Sequence, residues 1–288
     1  MSKIDLHSHS TISDGTYTPT ELVRYASAQG VEVMALTDHD DVGGLAEARL
    51  VAEEQGICLI NGVEISVSWN GRTIHVVGLR IDPTHGDLLA GLEAIRAGRL
   101  TRAEAIAAEL DKAGVPGSLA GAREYALERV ISRTHFARFL VAHGHAKDVK
   151  AVFKKYLVKG KPGHVSHRWA DMSEAIAWIK DSGGVAVLAH PGRYDIGKNT
   201  LHALFTAFKE AGGEAVEVVS GSHTPDQYRL FADFARQYDL LASAGSDYHG
   251  PSHNYFDMGK LPPLPAGCVP VWQDWPEMAL FDSLHCCA

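Results

Sequence analysis

Short apolar, β-prone runs punctuate the chain at residues 3–6, 31–36, 57–60, 74–78, 185–188, 215–219 and 241–244. Most are unbroken rather than alternating, the pattern of parallel strands covered on both faces. Between them the spacing turns helical. Thr18, Pro19 and Glu21 form a capping-box signature with proline in the first turn, opening a helix that ends near Gly30. Residues 41–55 and 173–182 are also helical in pattern, and Gly183 with Gly184 stops the second. Strands alternating with helices predict an α/β fold, and seven of them predict a barrel.

The alternation stops between residues 86 and 160. Stretches 88–97, 101–113, 119–127, 133–142 and 148–157 have helical spacing, with no strand candidate between them. This reads as an all-helical insertion between the fourth and fifth strands, dividing the barrel into 1–85 and 161–288. Both its ends leave the barrel, so it is expected to cap the mouth. The tail after Lys260, rich in proline and tryptophan, reads as irregular structure over the core.

Composition narrows the class. With 45% hydrophobic and 22% charged residues, the chain is an ordinary globular protein, which excludes disorder, collagen and coiled coil. No apolar run approaches the ~20 residues of a membrane span. The first residues, MSKIDLHSHS, lack a signal-peptide core, so a cytoplasmic location is expected, with no membrane and no obligate protein partner. The cysteines are Cys58, Cys268, Cys286 and Cys287, none in a CxxC pair, which argues against a disulfide framework or zinc finger.

Charge is uneven. The net charge is −8, yet residues 87–168 hold 15 basic against 8 acidic side chains. Between 129 and 168 a single acid, Asp148, stands among ten basic residues, which points to an anionic partner.

The anomaly is 16 histidines. His85, His143, His145, His202, His253 and His285 read as scattered surface residues. Most of the others fall in or beyond strands, near the edge at which parallel barrels gather functional groups. The first strand runs into Asp5, His7 and His9, followed by Asp14; the second into Asp38, His39 and Asp40; the third leads to Glu64; the fourth contains His75. The fifth ends at His190, the sixth carries Glu217 and leads to His223, and the seventh ends at Asp247 and His249. Alternate residues leaving a strand point the same way, so His7 and His9 can reach one ion, and Asp247 with His249 repeats the spacing. Imidazole and carboxylate without thiolate suit Mn, Zn or Fe, with Mg less suited because of the histidines. The nine candidate ligands among these, His7, His9, Asp14, His39, Glu64, His75, His190, Asp247 and His249, exceed one ion's needs, so two or three ions are expected, with Glu64 bridging.

The segments DLHSHSTISDGTYTP, ALTDHD, NGVEIS, LAHPGRY and GSDYHG resemble the motifs of the PHP (polymerase and histidinol phosphatase) superfamily, in order along the chain. The nearest resemblance is to stand-alone bacterial PHP phosphoesterases acting on nucleoside 3′,5′-bisphosphates and RNA 5′ ends, a branch that also carries a helical insertion between its fourth and fifth strands. It implies a distorted (β/α)7 barrel with a trinuclear centre. Carried over by motif, one ion takes His7, His9, Glu64 and Asp247, a second Glu64, His75 and His190, a third Asp14, His39 and His249. Some family members have histidine where Asp14 stands, and the carboxylate here favours a harder ion such as Mn. Asp38 and Asp40 are read as supports for the ligands.

No nucleophile elbow, P-loop or dinucleotide fingerprint is present, and nothing marks Ser8, Ser10 or Ser66 as nucleophiles. Metal-assisted hydrolysis is the expected chemistry. Arg193 is the candidate for offsetting phosphoryl charge, and His223 for the general acid, unless it only bonds its neighbours. A second phosphate needs its own receptor. Ser132, Arg133, Thr134 and His135 offer a helix start with a guanidinium, and Lys161 and Arg168 are candidates to line the approach. The expected reaction is loss of the 3′-phosphate from a nucleoside 3′,5′-bisphosphate, with 5′→3′ exoribonuclease action on short RNA as a second activity. Three other readings stay open: a histidinol-phosphate or other small-molecule phosphatase, a C–N hydrolase of amidohydrolase type, and a silent binding module.

Overall fold

The computed structural model describes residues 3–127, 130–251 and 256–278. His253, His285, Cys286 and Cys287 lie outside these residues. The barrel is built from β1 (Ile4–Asp5), β2 (Val33–Leu36), β3 (Cys58–Trp69), β4 (Arg72–Leu79), β6 (Val185–Leu188), β7 (Ala215–Ser220) and β8 (Leu241–Gly245), hydrogen-bonded in that order. Leu6 N–H donates to Ala244 O (2.9 Å) and Asp247 N–H to His7 O (2.9 Å), so β8 returns to β1 and the barrel is nearly closed. A short β5 (Ala170–Asp171) adds to β3.

The expected parallel order fails at one strand. β4 runs antiparallel to both β3 and β6, because Asn70 and Gly71, both at positive φ, turn β3 straight back. The third strand is also longer than expected, so Glu64 lies within β3 rather than beyond it. Running down β4, the chain reaches Leu79 opposite Val185, at the barrel's lower end. Helix α3 (Gly86–Lys112) therefore has to climb the outer wall to reach the mouth.

α3 is one helix of 27 residues where two were expected. Gly98 does not break it. A Cβ there would meet His167 Nε2 at 2.9 Å, so the glycine admits a close neighbour. Its lower half packs on the barrel core, where Gly91 lies against Trp178 of α7 (Met172–Asp181). Its upper half joins α4 (Ser118–Ala126), α5 (Arg133–Ala142), α6 (Val149–Val152) and the π-helical turn Phe153–Leu157. These share a separate apolar core that includes Ile106, Leu110, Phe136 and Leu140.

The remaining helices cover the barrel: α1 (Pro19–Ala28), α2 (Leu45–Gln55), α8 (Lys198–Glu210) and α9 (Pro225–Gln237). The capping box read at Thr18 and Glu21 is present, and Asp171 with Glu174 and Thr224 with Gln227 build two more. Beneath the barrel, Ala242 N–H donates to Val269 O and Val271 N–H to Ala242 O. This sets Val271 and Trp275 against Leu6, Val33, Ile60 and Val77 inside the lower barrel.

Candidate metal centre

Each donor at the mouth is aimed by its strand end and by backbone bonds. His7 and His9 leave β1 together, and His249 sits two residues past Asp247 beyond β8. Asp247 (φ 56°) and His190 (φ 28°) take the left-handed region, which turns both away from their strand directions. Glu217 on β7 braces two ligand segments: Oε1 is 2.5 Å from His7 Nδ1, and Oε2 accepts the His190 amide at 2.7 Å. With its Nδ1 proton held there, His7 presents Nε2 to the centre. His249 Nδ1 donates to Asp247 O (2.8 Å) and likewise presents Nε2.

Glu64 is the hub. Its Oε1 lies 2.9 Å from both His75 Nδ1 and His190 Nε2. Its Oε2 lies 2.8 Å from His39 Nδ1, 3.3 Å from His9 Nε2 and 3.4 Å from His7 Nε2. Asp247 Oδ1 is 3.3 Å from His9 Nε2, and Asp14 Oδ1 is 3.2 Å from His249 Nε2. Three sets of donors form, the ligand atoms within each lying within 4.8 Å of one another: His7, His9, Glu64 and Asp247; His9, Asp14, His39 and His249; and His39, Glu64 and His75. His190 adjoins the third, 3.3 Å from His75. His9 and His39 thus each serve two sets, where motif transfer gave them one.

The electrostatics follow. Burial pushes the carboxyls of Glu64, Asp14 and Asp247 upward, but the surrounding imidazoles outweigh it and hold all three well below the usual range. For Asp247, Arg193 adds to the effect. Burial, with His249 beside it, lowers His9 to about 3, a neutral ligand form. Asp14 Oδ1, Glu64 Oε2 and Asp247 Oδ1 are buried without a hydrogen bond. Converging donors whose oxygens lack hydrogen bonds fit divalent cations better than a self-satisfied polar core.

The PHP domain family matches residues 5–212. This chain belongs to the PHP family. A 3′,5′-nucleoside bisphosphate phosphatase from Chromobacterium violaceum is 50% identical over 275 residues, covering 95% of this PHP chain and 96% of that protein. The 5′-3′ exoribonuclease Rnm of Escherichia coli is 44% identical over 275 residues, covering 95% and 94%. A solved structure described as an amidohydrolase from Chromobacterium violaceum, with bound sulfate and no metal, superposes with a TM-score of 0.91 at 48% identity, covering 96% of both chains.

Around the PHP centre, the supports come from two sides. Asp38 accepts from the amides and hydroxyls of Ser10 and Ser13, shaping the loop that carries His9 and Asp14. Asp40 accepts from Ser66 N (2.7 Å) and Arg99 Nε (2.6 Å). Ser132 Oγ donates to Asp14 Oδ2 at 2.8 Å, and Arg138 Nη2 to Asp14 O at 2.6 Å, so α5 stands directly on a donor. Sequence reasoning missed Glu217's bracing role, Arg99 and Arg138. A glutamate on a strand was visible, but two arginines in a basic stretch carried no signal of their own.

The other candidates are spread. Arg133 lies over the Phe153 ring at 5.5 Å and forms no ion pair among the described residues. Burial, then Arg99 and Arg193, lower it from the ordinary guanidinium range. Thr134 N–H donates to Ser132 Oγ. His135 is buried, and its Nδ1 accepts from Ser132 N–H at 3.1 Å. The remaining ring proton is then on Nε2, which has no partner. Arg193 is half-exposed and pairs with Asp247 Oδ2 at 2.5 Å. His223 is buried with both nitrogens engaged by backbone: Nδ1 with Val218 O, Nε2 with Gly192 N–H. It has no proton to offer a leaving group in this arrangement. Lys161 is exposed in the turn after the π-helical segment. Arg168 is exposed and pairs with Asp171, so neither is brought into the donor cluster.

Proposed function

We propose that this PHP protein is a metal-dependent phosphoesterase that removes the 3′-phosphate of nucleoside 3′,5′-bisphosphates, leaving the 5′-monophosphate. In the same reading it shortens 5′-phosphorylated RNA from the 5′ end. The observation that carries the proposal is the Ser132–Asp14 hydrogen bond, because it sets the start of α5 beside the donor cluster. A reacting phosphate at the donors then has a second anion receptor next to it, with Arg133, which forms no ion pair among the described residues, and the acceptorless His135 Nε2 as its donors. A nucleoside with two phosphates matches that pairing, as do the activities for which the relatives are named. A cytoplasmic setting suits that substrate class.

The three donor sets would hold two or three ions, for which we favour Mn on the imidazole–carboxylate chemistry. Bound there, such ions supply Lewis acidity and water acidified toward neutral pH. The chain's own residues do the rest. Arg133 and His135 anchor the 5′-phosphate and so aim the 3′-phosphate. Arg193 donates to the phosphoryl oxygens as charge develops. Water adds to phosphorus, the P–O3′ bond breaks, and O3′ leaves with a proton. His223 holds the turn that carries Arg193 and is not the proton donor.

The test is Arg133→Ala on a nucleoside 3′,5′-bisphosphate and on a 3′-monophosphate. A charged, bidentate contact is worth roughly 30- to 150-fold in kcat/KM. That loss is expected on the bisphosphate, with little change on the monophosphate; equal losses would refute the receptor. The name of the superposed structure keeps amide hydrolysis as the competing reading. An N-acyl substrate turned over faster than any phosphoester would establish it, and would leave Arg133 and His135 without a role.

A further inference from the structure

The inner face of the β3–β4 hairpin continues past the donor cluster. Glu64, Ser66 and Ser68 alternate on one face of β3, with His75 opposite Ser66 and Thr73 opposite Ser68. Trp169 is pinned to that face, its amide donating to Ser68 Oγ (2.8 Å) and its indole N–H to Thr73 Oγ1 (3.0 Å). The guanidiniums of Arg99 and Arg102 lie over its ring at 4.9 and 5.3 Å. Arg102 donates to Val165 O and forms no ion pair among the described residues. Burial, then the charges of Arg133 and Arg99, lower it to about 9. Beyond Trp169 a cavity of about 620 Å³ opens between the hairpin turn (Ser68, Asn70, Gly71) and the irregular segment leading into β5 (Ser166, His167, Arg168), with Asp171 of β5.

We propose that this cavity is a subsite for the nucleotide on the 3′ side of the scissile bond in a 5′-phosphorylated RNA strand. The inference rests on the phosphoesterase reading above. Its size falls in the range of small-ligand sites. Ser68 is four residues along β3 from Glu64, about 13 Å at strand rise. That is past the reach of a nucleotide whose phosphates occupy the donors and α5, but within the path of a strand continuing from the reacting phosphate. The walls suit a nucleotide: an imidazole edge-on to Trp169 at 4.2 Å, the Arg168 guanidinium held by Asp171, an amide and hydroxyls offer planar stacking and hydrogen bonds, with the Asp171 carboxylate an acceptor for base or ribose. A free bisphosphate has nothing to place there.

Ser166 is exposed, so Ser166→Trp fills the cavity without touching the centre. The variant and His167→Ala should hydrolyse a nucleoside 3′,5′-bisphosphate as the parent does. On a 5′-phosphorylated dinucleotide and hexanucleotide, kcat/KM should fall about tenfold, through KM, as for loss of one stacking or charged contact. A second measurement needs no turnover: binding of a fluorescent 5′-phosphorylated oligonucleotide to metal-free protein should weaken by a similar factor in Ser166→Trp. Equal losses on bisphosphate and RNA, or no loss on RNA and unchanged strand binding, would overturn the subsite. Failure of the parent to hydrolyse any phosphoester would instead refute the activity, and the binding measurement would still decide the subsite.

Discussion

The two ends of the barrel are built from opposite chemistry on the same strands. At the lower end, Leu6, Val33, Ile60, Val77 and Val187 meet Val271 and Trp275 in a purely apolar plug. A few residues higher, the interior is filled by imidazoles and carboxylates with oxygens lacking hydrogen bonds. One end is arranged to be as stable as packing allows. The other keeps buried charge within a few ångströms of like charge, which costs stability and is retained for what it can bind. Substitutions at the two ends should therefore separate stability from activity.

The sharpest break is expected at the mouth. Asp247→Ala removes a donor carboxylate and the partner of Arg193. Activity should fall on the order of 10³-fold or more, since metal-borne charge stabilisation is worth several kcal/mol. Metal content by mass spectrometry should fall with it, while the apo fold stays intact by circular dichroism. Unchanged activity and stoichiometry would remove Asp247 from the ligand set.

At the plug the pattern should invert. Trp275→Ala empties a buried site lined by barrel residues, and should cost about 3–5 kcal/mol in urea denaturation. kcat of the protein that remains folded should match the parent. A large drop in kcat with little loss of stability would show that the lower end bears on the chemistry.

Glu217 sits between these extremes, as a brace that touches no substrate. Glu217→Gln keeps the shape but loses the charge behind His7 and His190. Such outer partners are worth roughly 10- to 100-fold in metal affinity. Titration calorimetry with Mn²⁺ should show the loss, and excess Mn²⁺ should restore most activity. A kcat loss that Mn²⁺ cannot rescue would argue for a direct role.

The contrast also explains what the sequence made legible. The donors His7, His9, His39, His75, His190 and His249 stand out because few other roles put imidazoles in or just beyond so many separate strands. Unbroken apolar runs gave the parallel strands for a similar reason, since both faces are buried. The reversal of β4 was hidden because an apolar run has no direction, and the turn at Asn70 and Gly71 was the only signal. The gap left between the helical stretches 88–97 and 101–113 misled in the other direction: Gly98 falls in it, and its reason is a neighbour distant in sequence, His167. Arg99, Arg102 and Arg138 were lost in a basic stretch, because their partners are on the barrel or across the insertion.

His223 is the residue that tests whether every histidine at the mouth belongs to the chemistry. Burial pushes its imidazole from the ordinary 6.5 down to about 4. Nε2 accepts from Gly192 N–H, so a proton there would set donor against donor. The unfolded chain takes up this proton as pH falls through about 6.5, whereas the folded chain resists until about 4. Its contribution to stability is therefore complete above about 6.5 and is lost as pH falls toward 4. At pH 5 the loss is about 2 kcal/mol at 1.36 kcal/mol per unit. His223→Gln cannot titrate, so its urea stability should change less between pH 7.5 and pH 5 than the parent's. Some slope should remain, because burial also lowers His135 to about 4. The kcat–pH profile should keep its shape, with kcat reduced only as far as the turn bearing Arg193 loosens. Loss of one limb of that profile, with the acid stability unchanged, would reverse the assignment and make His223 the proton donor after all.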